Sequence, residues 1–176
     1  MPRFIADVML GSLAKWLRIL GYDTVYFRTI DDNELIKMAL QQERTLLTRD
    51  TGIARSPLIK MNRRTGESVS RRKVGPDVIL ILSNHALEQL NEVLSSKRLF
   101  PDSPFPRLPG SYVPRCPVCN GGLAAAEKEA VSGCVPEYVF LNSTSFFICR
   151  QCGKVYWYGS HKKSIDFKLK QVIGDR

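Results

Sequence analysis

Two Cys-x-x-Cys pairs, in "RCPVCNGG" (115–122) and "ICRQCGK" (148–154), constrain this chain more than any other feature. At that spacing one tight turn aims two thiolates at a single ion, and Gly121 and Gly153 stand where such turns need small residues. Cys116, Cys119, Cys149 and Cys152 together make a closed four-thiolate set, the pattern of a structural Zn²⁺ site rather than a catalytic one. The competing readings are a redox pair or inert buried thiols. A gap of 29 residues separates the pairs, so the insert is expected to form a hairpin, with "SFFIC" and "KVYWYG" as strands around the second knuckle. Cys134 lies inside the gap as a bystander, and His161 is not needed for the zinc count.

Upstream of the cysteines the pattern changes. Residues 3–7 read as a short strand, and 8–21 as a helix with Leu10, Leu13, Ala14, Leu17 and Leu20 on one face. Ser12, Lys15 and Arg18 lie off that face, and Gly21 ends the helix at C′. "DTVYF" (23–27) reads as a second strand, 31–43 as a second helix, and "RTLLT" (44–48) as a third strand. "DVILILSN" (77–84) is apolar enough for a strand buried on both faces, followed by a helix over 85–97. This alternation predicts an α/β domain with a parallel sheet, whose ligands bind at the carboxyl ends of the strands. Residues 60–75 carry six basic residues and one acidic one and read as an exposed loop. "PDSPFPRLPG" (101–110), with four prolines, reads as the linker between domains.

The aspartates fall at strand ends. Asp7 closes the first strand, Asp50 follows the third, and Asp32 opens the helix after the second. Three carboxylates on one sheet edge repel one another. A hard divalent cation, Mg²⁺ or Mn²⁺, removes the conflict. Each aspartate alone also has a structural reading. Asp31 is a good N-cap that Glu34 would complete as a capping box, Asp50-Thr51-Gly52 makes a turn, and Asp7 caps the first helix.

The formal charge of +9 favours a polyanionic partner, with nucleic acid the commonest. No apolar stretch reaches the ~20 residues that span a bilayer, and Asp7 interrupts what would be the apolar core of a signal peptide. A cytoplasmic location is the expectation.

"FIADVMLGSLAKWLRILGYDT", "DDNELIKMA" and "LLTRD", followed by the two knuckles, resemble the Mut-seven C-terminal RNase family, a branch of the PIN-domain nucleases fused to a zinc ribbon. The resemblance covers about residues 3–161. It implies a PIN-like three-layer parallel-sheet domain followed by a small β zinc ribbon. It implies a ribonuclease that gathers acids at the carboxyl edge to hold Mg²⁺ or Mn²⁺. On the matching positions these are Asp7, Asp32 and Asp50, with Asp31 and Glu34 as rivals of Asp32. Where the family places a fourth acid, this chain has Ser83 and Asn84.

The residues therefore divide into a nuclease domain (1–100), a proline-rich linker (101–114), a zinc ribbon (115–161) and a basic tail (162–176). Lys15, Arg18 and Arg49 are expected to stabilise phosphate charge, and Arg63, Arg64, Arg71 and Arg72 to grip RNA backbone. Tyr156, Trp157 and Tyr158 alternate along a strand beside Lys154, His161, Lys162 and Lys163. Stacking on Trp157, with phosphate contacts from Lys154 and Lys162, suits single-stranded RNA, while packing into the ribbon's small core is the competing role. Two other functions fit the same residues: a non-catalytic RNA-binding or ribosome-associated module, and an interaction protein whose ribbon docks on another protein.

Overall fold

The computed structural model describes residues 1–61, 77–100 and 114–173. Four parallel strands form the first sheet: β1 (Phe4–Ala6), β2 (Thr24–Tyr26), β3 (Thr45–Thr48) and β4 (Val78–Leu80), in the order β2-β1-β3-β4. The central strands β1 and β3 are wholly buried. Side chains alternate across them, as a period of two requires. Phe4 and Ala6 of β1 and Leu47 of β3 enter one core cluster, and Ile5 and Leu46 enter the other.

Helices cover both faces, which makes three layers. On the first lie α1 (Gly11–Ile19), preceded by a 3₁₀ turn at Val8–Leu10, and α5 (Ala86–Leu94). On the second lie α2 (Asp32–Gln41) and two short helices, α3 (Thr51–Ala54) and α4 (Pro57–Met61). Gly21 has φ 84° and ends the α1 segment as the sequence predicts. No helix of the described residues is long and apolar enough to cross a membrane.

The fourth strand departs from expectation. β4 is three residues long and half-buried, and Leu82 beyond it is 76% exposed. The apolar run predicted a strand covered on both faces. Among the described residues β4 is an edge strand, so its outer side lacks a neighbouring strand.

A second, antiparallel sheet carries the cysteines, in the order β5 (Leu123–Ala126), β6 (Phe146–Cys149), β7 (Val155–Trp157). The insert between the knuckles pairs β5 with β6, as the hairpin reading expected, and adds α6 (Glu137–Asn142). Residues read as a basic tail instead form most of α7 (Ser160–Ile173). Leu169 of α7 is buried, and Ile165 and Val172 pack with it against the α1/α5 core. Lysines are frequent in this segment, but an apolar i, i+4, i+7 face is enough to return it to the first domain.

Candidate active site and metal centre

The carboxyl edge of the parallel sheet is built around Thr48. This buried residue ends β3, and its hydroxyl donates to Asp7 Oδ2 at 2.8 Å while accepting the Asp50 backbone N–H at 2.9 Å. Asp7 is only 3% exposed. It precedes the 3₁₀ turn without capping it through its side chain, which removes the capping role considered from sequence. Among the described residues its carboxylate has one hydrogen-bond donor, Thr48, and no ion-pair partner. A buried carboxylate so lightly compensated is costly.

Asp50 does cap a helix. Its Oδ1 accepts the N–H groups of Gly52 and Ile53 at the start of α3. The turn is tight: a Cβ on residue 52 would lie 2.9 Å from that oxygen, so a larger residue would push on the capping carboxylate. Capping occupies Oδ1 alone. Asp31 is the N-cap of α2, accepting from Asn33 and Glu34, and this commitment separates it from its exposed neighbour Asp32. Desolvation and then the like charges of Asp7, Asp50 and Asp31 push the Asp32 carboxyl above the ordinary range. The three aspartates therefore share one field, although their oxygens are not gathered within 4.8 Å as the thiols are.

The loop after β4 holds Ser83 and Asn84 where a fourth acid was sought. Glu92 of α5, missed by sequence reading, accepts the N–H groups of Leu82 and Ser83 at 2.9 and 2.8 Å with its two oxygens. Burial raises the Glu92 carboxyl, but the Ser83 side chain, these two N–H groups and the nearby Arg49 bring it below the usual range. Arg49 itself donates to Asn84 Oδ1. Nothing in the sequence marks Glu92, which lies mid-helix. Thr48 is marked only by its place two residues before Asp50.

The four cysteines meet. Their sulfurs all lie within 4.8 Å of one another, with Cys116–Cys152 at 3.7 Å and Cys119–Cys149 at 3.4 Å. A disulfide requires ~2.05 Å, whereas four thiolates ~2.3 Å from a tetrahedral ion stand roughly 3.8 Å apart. The spacing fits one metal ion. Both knuckles repeat one backbone pattern. Asn120 and Gly153 follow the second cysteine of each pair with φ 70° and 71° and donate to the carbonyl of the first at 2.9 Å. Cys116 and Cys149 then donate to the carbonyls of Gly121 and Lys154. A Cβ on residue 121 would stand 2.9 Å from Cys149 Sγ, so glycine lets the knuckles close on each other. Burial raises the Cys116 thiol, but the Tyr156 hydroxyl 3.0 Å away and the Cys119 and Val118 N–H groups outweigh it, down to about 6. Burial pushes Cys119 up to about 12. Cys134 is exposed and outside the cluster.

The remaining candidates divide. Arg18, expected on phosphate, is 4% exposed, and its guanidinium is engaged by backbone carbonyls. Its Nε donates to the Thr24 carbonyl at 2.9 Å and its Nη1 to the carbonyls of Pro117 and Val118, joining α1, β2 and the first knuckle. Lys15 and Lys154 are exposed, and Trp157 is half-buried. Tyr158 is the more exposed ring at 51%, packed edge-on against Phe147. Arg63, Arg64, Arg71 and Arg72 lie outside the described residues, as does the side chain of Lys162.

This combination defines a class: a parallel-sheet domain with acids on its carboxyl edge, joined to a four-cysteine ribbon. The model of the Mut7-C RNAse domain matches residues 2–169, and the chain belongs to that family. No curated protein and no solved structure gave a significant match.

Proposed function

We propose that the protein is a PIN-like, Mg²⁺- or Mn²⁺-dependent ribonuclease that hydrolyses RNA phosphodiester bonds, with Zn²⁺ as the structural ion of its ribbon. Family membership supports ribonuclease-type chemistry with RNA as substrate. The observation that carries the metal-dependent reading is Asp7, a buried carboxylate with one hydroxyl donor and no ion-pair partner among the described residues. A divalent cation fits this oxygen-rich donor set and neutralises charge that the protein leaves uncompensated.

Asp7, Asp50 and Asp32 are the proposed ligands. Thr48 orients Asp7 by donating to Oδ2. Asp50 is fixed through Oδ1, which leaves Oδ2 as its ligand oxygen. Asp32, exposed and unoccupied by capping, completes the set. When bound, the cation supplies a polarised phosphoryl group and an activated water. Arg49, held by Asn84, is the proposed partner for phosphate charge on the β4 side.

Cleavage of labelled single-stranded RNA in Mn²⁺, by wild type and Asp7→Asn, tests the reading. Turnover in wild type that EDTA and Asp7→Asn both abolish is expected. Equal turnover by Asp7→Asn removes the carboxyl edge as the active site.

A further inference from the structure

A groove of about 690 Å³ runs beside α1, from the carboxyl edge of the sheet to the first cysteine knuckle. At the sheet end lie Met9, in the turn that follows Asp7, and Arg28, two residues beyond β2. Tyr26 closes this end by donating its hydroxyl to the Val8 carbonyl at 3.1 Å. At the other end lie Pro117 and Val118, from between the cysteines of the first knuckle. Lys15 stands between the two ends and Arg18 beneath them.

Three features of the lining point to one kind of ligand. Its charged residues are all cationic: Lys15, Arg18 and Arg28 line it, and no carboxylate does. Lys15 and Arg28 are exposed, and neither has an ion-pair partner among the described residues, whereas Arg18 is committed to carbonyls. Met9 and Val118 are 60% and 57% exposed, apolar side chains set beside the cations. Cations for a backbone beside apolar surface for bases are the needs of a single nucleic-acid strand. Clefts of ~300–1,000 Å³ hold ligands of small-molecule size, so this one admits roughly two nucleotides.

We propose that this groove is a subsite for single-stranded RNA leading to the aspartates, with Lys15 and Arg28 on phosphates and Met9 and Val118 against bases. The first knuckle then forms one wall of the substrate path, and Arg18 is a positioning residue that holds this wall against α1. The inference rests on the ribonuclease reading for its substrate but can fail separately from it.

The test measures binding of a labelled single-stranded oligoribonucleotide across a salt series, with no added Mg²⁺ or Mn²⁺, so that binding is read apart from cleavage. Lys15→Glu/Arg28→Glu is compared with Arg3→Glu/Lys97→Glu, which makes the same charge change at exposed positions outside the groove. The groove variant should lose at least about tenfold in affinity, and its log–log salt slope should fall by about 1.4, two contacts at ~0.7 each for a single strand. Val118→Glu should also weaken binding. The control pair should lose clearly less and keep its slope. Equal losses in both double variants, or an unchanged slope in the groove variant, overturn the subsite even if the wild type cleaves RNA. Absence of cleavage by a wild type that shows the expected binding differences overturns the ribonuclease reading and leaves the groove standing.

Discussion

The two edges of the parallel sheet handle their acids in opposite ways. On the amino side Asp23 receives a two-pronged ion pair from Arg44, at 2.9 and 3.0 Å, and a third hydrogen bond from Asn120 Nδ2 at 2.7 Å. Burial raises the Asp23 carboxyl, but the Arg44 and Asn120 hydrogen bonds outweigh it and hold it below the usual range. On the carboxyl side Asp7 has a threonine, Asp50 has a helix end, and Asp32 is pushed up by desolvation and then by the charges of Asp7, Asp50 and Asp31. An acid with a matched cation serves structure. An acid cluster without one keeps its capacity to bind something else.

The amino side also holds the ribbon in place. Asn120, between Cys119 and Gly121, accepts the Thr24 N–H and donates to Asp23, while Arg18 takes the Thr24 carbonyl. These contacts occupy the open side of β2 at its first residue and so blunt a free sheet edge. The cysteine knuckle is thus a part of the sheet's amino side, and the proposed Zn²⁺ would be coupled through it to the fold of the first domain.

The largest expected effect follows from that coupling. Cys149→Ser should release the proposed Zn²⁺, unfold the ribbon and lower the melting temperature of the sheet domain as well, because such an ion contributes ~10–16 kcal/mol to the folding of small zinc modules. Metal analysis with thermal melts checks this. An unchanged melt of the sheet domain would show that the two sides are independent.

On the other edge, Asp7→Asn should reduce Mn²⁺-dependent cleavage by about 10³, equivalent to ~4 kcal/mol of lost metal-mediated stabilisation. Without added divalent metal, the variant's melting temperature should equal or exceed that of the wild type, since it loses a buried charge that lacks an ion-pair partner. Lost stability with cleavage per folded molecule retained would make Asp7 a structural residue like Asp23.

Asp23→Asn should behave in reverse. It should cost about 2 kcal/mol at neutral pH through weakened charged hydrogen bonds, with cleavage per folded molecule nearly unchanged. Activity assays normalised to the folded fraction distinguish the two edges.

The smallest effect is in pH dependence. A depressed carboxyl contributes stability that is fully present above the unfolded value, ~3.9 for aspartate, and is lost as pH falls through the folded value. Wild type should therefore lose more stability than Asp23→Asn between about pH 4 and pH 2. Parallel melting curves over that window would show that the Arg44 pair contributes nothing.

Much of the fold was legible because it is periodic. The apolar face of α1, the β-branched run of β2 and the Cys-x-x-Cys spacing are local patterns, and local geometry satisfies them wherever the rest of the chain goes. The position of Asp7 and Asp50 at strand ends was legible for the same reason. The roles of individual side chains were less so. Asp31 and Asp32 are adjacent and chemically identical and stayed rivals in the sequence, although Asp31 read as an N-cap there; the observed cap commits Asp31 and leaves Asp32. Arg18 reads as a surface cation on α1 until the knuckle covers it.

By itself the sequence determined the parts: four strands of the first sheet, the helices after the first, second and fourth, and two turns able to present paired thiolates; the short helices α3 and α4 after the third strand were not read from it. Tertiary structure alone decided the strand order, which brings Asp7 beside Thr48 across 41 positions of chain. It also decided which side of the sheet receives the ribbon and that α7 returns to the first core. The physical reason is that burial and ion pairing depend on distant neighbours. No local pattern in this chain distinguishes an aspartate that will meet an arginine from one that will not.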